Sequence, residues 1–127
     1  MKKAIQIEGA PQPIAPYSQA IQAGNLLFVS GQIPKNPFTN ELNMPNIEVA
    51  TRQVLDNITE ILKAAGITRN EVVKCQVFLK DMNDFAAMNA VYGEYFTEMP
   101  PARECVQVAK LPSDVPVEIS CIAVIPQ

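Results

Sequence analysis

The 127-residue sequence has no histidine and no tryptophan, only five glycines, and no long apolar run. Each absence excludes something. Without histidine the chain lacks the usual general base, the Ser-His-Asp arrangement and the commonest metal ligand at once. The glycines (Gly9, Gly24, Gly31, Gly66 and Gly93) form neither a phosphate loop nor a dinucleotide fingerprint. Three cysteines, Cys75, Cys105 and Cys121, are an odd number at wide spacing with no CxxC pair. They read as reduced thiols of a cytosolic protein, with no zinc site. No metal and no cofactor is therefore expected. Nothing approaches the roughly 18 consecutive apolar residues of a membrane span. Met1-Lys2-Lys3 is followed by "AIQIEGAPQPIAP", a glutamate and three prolines where an export signal needs a long apolar segment, so a cytoplasmic location is expected. Ten basic against 13 acidic residues leave a net charge of −3, which gives no broad footprint for a phosphate backbone. Nucleic acid is not the expected partner.

What is present suits a folded domain. Hydrophobic residues make up 48% and charged residues 18%, far from the signature of disorder, and the length fits one domain over 1–127. Residues 2–7 predict a short strand, and "GAPQPIAPYS" a loop whose prolines block regular pairing. "SQAIQAGNLLFVSGQIP" reads as a hairpin turning at Gly24-Asn25, its second arm, Leu26 to Ser30, a buried central strand. Residues 32–46 predict an exposed connection. Asn46 then caps a helix to about Ala65, with Ile47, Ala50, Val54, Ile58, Ile61, Leu62 and Ala65 on one stripe. In "EVVKCQVFLK", alternation sets Val73, Cys75, Val77 and Leu79 against Val72, Lys74, Gln76, Phe78 and Lys80. A second helix is predicted from Asn83 or Asp84, with Phe85, Met88, Val91, Tyr92, Tyr95 and Phe96 on its apolar side.

Pro100-Pro101 forces an extended chain into a strand carrying Arg103, Cys105 and Gln107 on one face. The last strand, "VPVEISCIAVIP", sets Val117, Ile119, Cys121 and Ala123 against Glu118, Ser120, Ile122 and Val124. The sum is an α+β domain of about six strands and two helices. Two helices cover one face of such a sheet, yet the last strand is apolar on both, so other copies of the chain are expected over the second face. Register is not legible from sequence. Arg103 and Glu118 therefore read either as a buried ion pair or as parts of a site.

"APYSQAI", "NLLFVSGQIP", "TRQVLDNI", "VVKCQVFLKDMNDFAAMNAVYGEYF", "PPARECVQVAKLP" and "VEISCIAV" resemble, in order and over nearly the whole chain, the YjgF/Rid family of reactive-intermediate deaminases. The resemblance implies a chorismate-mutase-like α+β fold, with a six-stranded mixed sheet and two helices on one face. It also implies a homotrimer with three sites at the subunit seams. The implied activity is hydrolysis of enamines and imines (2-aminoacrylate, 2-iminobutanoate, 2-iminopropanoate) released by pyridoxal-phosphate dehydratases, giving 2-oxo acids and ammonia without a cofactor. By resemblance, Arg103 in "PAR" holds the substrate carboxylate and Glu118 in "VEI" orients water. Backbone groups near Cys105 and at Ser30-Gly31 assist binding, while Tyr17 in "PYSQA" and Asn89 in "AAMNAVY" line the pocket. Glu104 is bulkier and more acidic than the small residue the family leads one to expect, and alternation points it away from Arg103.

The implied chemistry suits the composition. A planar guanidinium reads a planar carboxylate through two parallel charge-assisted bonds, and it stays charged without tuning. An imine hydrolyses unaided, so positioned acid–base help of about 10²–10⁴-fold from one glutamate is in scale. With no histidine beside it, Cys105 reads as an inert thiol rather than a nucleophile. Two other functions compete: a non-catalytic trimer that binds 2-oxo or amino acids and regulates a partner, and a ribonuclease or translation inhibitor. The acidic, histidine-free composition opposes the second of these.

Overall fold

The computed structural model describes residues 1–126. Strands β1 (Lys2–Ile5), β2 (Ala20–Ala23) and β3 (Leu26–Gln32) lead into helix α1 (Ile47–Ala64). They are followed by β4 (Val72–Leu79), helix α2 (Phe85–Tyr95), β5 (Ala102–Gln107) and β6 (Val117–Val124). The six strands form one sheet in the order β1-β2-β3-β6-β4-β5, antiparallel throughout except for the parallel pair β4·β5. This is the mixed-sheet α+β architecture that the strand and helix pattern predicts. No helix among the described residues is long and apolar enough to cross a membrane.

The start of α1 is built as its sequence requires: the Asn46 side chain accepts a 2.8 Å hydrogen bond from the Val49 N–H, satisfying an otherwise orphaned donor. Ala50, Val54, Ile58, Ile61 and Leu62 are buried, as the stripe predicts, and so are Thr51, Leu55 and Asn57. The stripe is wider than expected because α1 packs against α2 as well as against β3 and β6. Asn57 has a separate use. Its amide donates to the carbonyls of Ile33 (3.3 Å) and Lys35 (2.8 Å), tying the 32–46 connection, in which Pro34 is buried and not exposed as expected, to the helix.

Two expectations are corrected. Leu26 to Ser30 is central in sheet order but buried on one face only. Leu27 and Val29 are under the helices, whereas Phe28 on the other face is 43% exposed. Val72 and Val73 also exchange faces relative to simple alternation. Val72 pairs with Ala123 and Lys74 with Ile122, so β4 carries one residue more than β6 over that interval. This bulge leaves Val72 buried and Val73 46% exposed.

The core lies between the helices and one sheet face, where Leu27, Val29, Cys75, Val77, Leu79, Val117, Ile119, Cys121 and Ala123 meet the helical stripes. The opposite face carries Phe28, Ile122, Val124, Phe78 and Val106 with no helix over it. Leu55 is fully buried. Leu55→Ala is expected to cost about 2–5 kcal/mol in a urea unfolding experiment, since it removes a fully buried side chain from the core. A loss under about 1 kcal/mol would mean the core around Leu55 repacks freely.

Candidate functional site

Arg103 sits on β5, the edge strand, directly opposite Cys75 of β4, and so projects from the helix-covered face. Phe85, Asn89 and Tyr92 are spaced i, i+4, i+7 along α2 and share one side of that helix. They surround the guanidinium. Its Nη1 donates to Asn89 Oδ1 at 2.6 Å, and its central carbon lies 4.7 Å from the Tyr92 ring centre and 5.7 Å from that of Phe85. Within the described residues the ion pairs are Arg52–Glu94, Lys74–Glu104 and Lys80–Asp114. Arg103 belongs to none of them. Its charge is held in place by an amide oxygen and two ring faces, and is not neutralised.

Glu118 lies on β6 opposite Phe78, on the face without helices. The strand beside it is bulged: Val29 pairs with Cys121 and Gln32 with Ile119, so β3 holds an extra residue at Ser30-Gly31. The Ser30 hydroxyl donates to the Ser18 carbonyl at 2.6 Å and the Ser30 N–H to the Gln19 carbonyl at 2.9 Å, pinning the bulge to the loop before β2. Gly31 is then pressed against the glutamate. A Cβ at that position would fall 2.7 Å from both Cδ and Oε2 of Glu118, so no other residue fits without displacing the carboxylate. Burial pushes the Glu118 carboxyl above its ordinary range. Tyr17 is exposed, and with Gly31, Gln32, Pro112 and Ser113 it lines a cavity of about 290 Å³. A larger hollow of about 470 Å³, beside Val73, Met99 and Pro100, has Glu98 as its one titratable lining residue.

The candidate residues thus fall into two groups. Arg103, Asn89 and Cys105 gather at the α2 side of the β5 edge, while Tyr17, Ser30, Gly31 and Glu118 gather around the β3 bulge. The register places Arg103 and Glu118 on opposite faces of the sheet, which removes the ion-pair alternative within one chain. Cys105 stands opposite Val77, packed against the core, and burial pushes its thiol up, consistent with an inert residue. Gln107 shares the Arg103 face, and its Oε1 accepts a 2.8 Å bond from the Met82 N–H, stapling β5 to the turn before α2. Glu104 points away from Arg103 as alternation predicts. It pairs with Lys74 at 3.1 Å and accepts from Gln76 at 3.1 Å, and these contacts, Gln76 first, lower its pKa. Phe85 and Tyr92 were read from sequence only as core. The signal that marks them as neighbours of a cation is their helical spacing with Asn89.

This chain belongs to the YjgF/Rid family. The family model described as endoribonuclease L-PSP matches residues 7–125. A RutC family protein of Pyrococcus horikoshii is 58% identical over 97% of this chain and 98% of its own. A protein of Escherichia coli named 2-iminobutanoate/2-iminopropanoate deaminase is 49% identical over 98% of each. Among solved structures, Escherichia coli TdcF with bound serine superposes with a TM-score of 0.91 at 42% identity, covering 98% of this chain and 99% of that one.

The raised Glu118 carboxyl has a consequence for stability. Its native form binds the proton more tightly than the unfolded chain, where the group titrates near 4.5, so ionisation costs stability as pH rises from there through the raised native value. Glu118→Gln is therefore expected to melt higher than wild type at neutral pH, the difference vanishing once pH drops below the unfolded value. Thermal melts across that range check it, and a variant that melts lower at neutral pH would show the carboxylate to be stabilising.

Proposed function

We propose that this protein hydrolyses enamines and imines of small 2-oxo acids, releasing the 2-oxo acid and ammonia, at sites completed between copies of the chain in a homotrimer. The observation that carries the proposal is the Arg103 guanidinium, oriented by Asn89 and two rings yet lacking a carboxylate partner among the described residues. Such a group is prepared for an acid that arrives from outside. The names of relatives point the same way: one at 49% identity is an imine deaminase, and TdcF was solved with serine, which carries a carboxylate.

A second copy is part of the proposal because the two groups of residues face opposite ways in one chain. A β5 edge laid along the helix-free face of a neighbour brings the Arg103 of one copy toward the Glu118 of the next, and covers Phe28 and Ile122. In the proposed reaction Arg103 binds the carboxylate through its Nε and Nη2 edge, since Nη1 is engaged with Asn89. Water adds to the carbon of the C=N bond and gives a proton to Glu118. The carboxyl returns that proton to nitrogen, giving an amino alcohol; the hydroxyl proton then passes by way of the same carboxylate to nitrogen as the C=O bond forms, the C–N bond breaks and ammonia departs. A carboxyl with a raised pKa suits both halves of that transfer. Backbone groups at Cys105 and at Ser30-Gly31 line the substrate, with Tyr17 at the rim.

The family description names an endoribonuclease. The chain's net charge of −3 and lack of histidine weigh against that reading here. A binding-only role remains the second reading, because Arg103 alone suffices to hold a carboxylate.

Coupling the protein to a threonine dehydratase and following 2-oxobutanoate separates these readings. Wild type is expected to accelerate product formation. Arg103→Ala should lose at least about 100-fold in kcat/KM, in line with two charge-assisted bonds of about 1.5–3 kcal/mol each. Arg103→Lys should recover only part of this, for want of the fork. Full activity in a folded Arg103→Ala protein would end the clamp assignment. Binding of 2-oxobutanoate by wild type without acceleration would favour the regulatory role.

A further inference from the structure

We infer that Tyr92 is the positioning residue for Arg103: its ring face sets the guanidinium so that one edge is free for the incoming carboxylate. This rests on the carboxylate-binding reading above. Arg103 stands on an edge strand with a neighbouring strand on one side only, and no carboxylate among the described residues fixes it. A long side chain in that setting samples many rotamers unless something restrains it. The 2.6 Å bond from Nη1 to Asn89 fixes one end of the fork. A single bond leaves the plane free to swing about that end. The Tyr92 ring, 4.7 Å from the guanidinium carbon, removes the swing by offering its negative face to the cation, with Phe85 as a second, more distant wall at 5.7 Å.

Tyr92 is itself held rigidly. It is 7% exposed, its ring packs 4.7 Å from that of Phe96, and its hydroxyl lies against the thiol of Cys75, the residue opposite Arg103 in the sheet. That hydroxyl has no well-formed hydrogen bond, and burial keeps it protonated. The weak contact with the Cys75 thiol is the polar contact that Tyr92→Phe removes, and phenylalanine keeps the ring face. The ring face is the functional element. A residue of similar size with no π-face should fill the space while releasing the guanidinium.

The test measures 2-oxobutanoate affinity by calorimetry for wild type, Tyr92→Met and Tyr92→Phe, with the neutral analogue 2-oxobutanamide as control and melting temperature and oligomer size recorded for each. Tyr92→Met is expected to weaken 2-oxobutanoate binding roughly 5- to 30-fold, the scale of a cation–π contact, while leaving amide binding unchanged. In the coupled assay it should raise KM more than it lowers kcat. Tyr92→Phe should restore wild-type affinity to within about threefold. Equal affinity of wild type and Tyr92→Met would overturn the inference alone, as would a Tyr92→Phe protein as weak as Tyr92→Met. Failure of wild type to bind 2-oxobutanoate would overturn the carboxylate reading and this inference with it. If Tyr92→Met does not fold, Phe85→Leu decides, with a loss of about two- to fivefold expected and unchanged affinity counting against the platform.

Discussion

A positive charge held in position without being cancelled is the constraint around which this molecule is organised. An ordinary half-buried arginine finds a carboxylate within its own chain, because desolvating a guanidinium without compensation is costly. Arg103 instead has one amide oxygen and two aromatic faces. These groups attract a cation weakly enough to leave it receptive and firmly enough to restrict its geometry. Each comes from α2, and α2 is in turn set by its seam with α1, where Tyr95 donates to Asp56 at 2.6 Å and Arg52 pairs with Glu94 at 3.1 Å. A helix pair that slid by one turn would leave the charge unsupported.

The glutamate is handled in the opposite sense. Glu118 is half-buried on the other face, against a glycine where any side chain would displace its carboxylate, and neither an ion pair nor a side-chain hydrogen bond among the described residues relieves it. The Glu118 carboxylate carries an energetic cost in the isolated chain. Structures retain such costs at functional sites, where a pre-placed charge lowers the reorganisation needed later. The two β-bulges belong to the same pattern. The one at Ser30-Gly31 sets the glutamate's neighbour, and the one at Val72-Val73 turns an apolar residue outward beside the uncovered face. One face of the sheet builds a core, and the other is bulged and mixes Phe28, Phe78 and Ile122 with the polar group Lys74, Gln76, Glu104 and Ser120 and the half-buried Glu118.

Local features were legible from the sequence. The Asn46 cap, the α1 stripe, the alternation of β6 and the outward turn of Glu104 each follow from a period and a few residues, and each is found in the structure. What escaped depends on a partner strand or helix. Val73 faces outward because β6 is one residue shorter over that interval, and nothing in "EVVKCQ" records it. Leu55 and Thr51 are buried although the predicted stripe does not include them. The placement of Arg103 and Glu118 on opposite faces turns on the pairing of Cys75 with both Arg103 and Cys121, a long-range fact. Tyr92 was legible as apolar, but its role beside a cation required knowing which strand α2 covers.

The lack of histidine can now be joined to the geometry. Without histidine, proton transfer in the proposed reading falls to a carboxyl, and burial raises that of Glu118 above its ordinary range. The helices of this domain cover a single face of its sheet, so on the far side Glu118 is only half-buried. Apolar residues at Phe28, Phe78 and Ile122 are already arranged on that far side, so a neighbour's surface would both shield the carboxyl further and bring the guanidinium it lacks. Association and catalysis, in the proposed reading, are then two results of one placement: the charges are separated within a chain so that they are complementary between chains. In that reading an isolated protomer would hold each half of the site in order and yet be unable to close it.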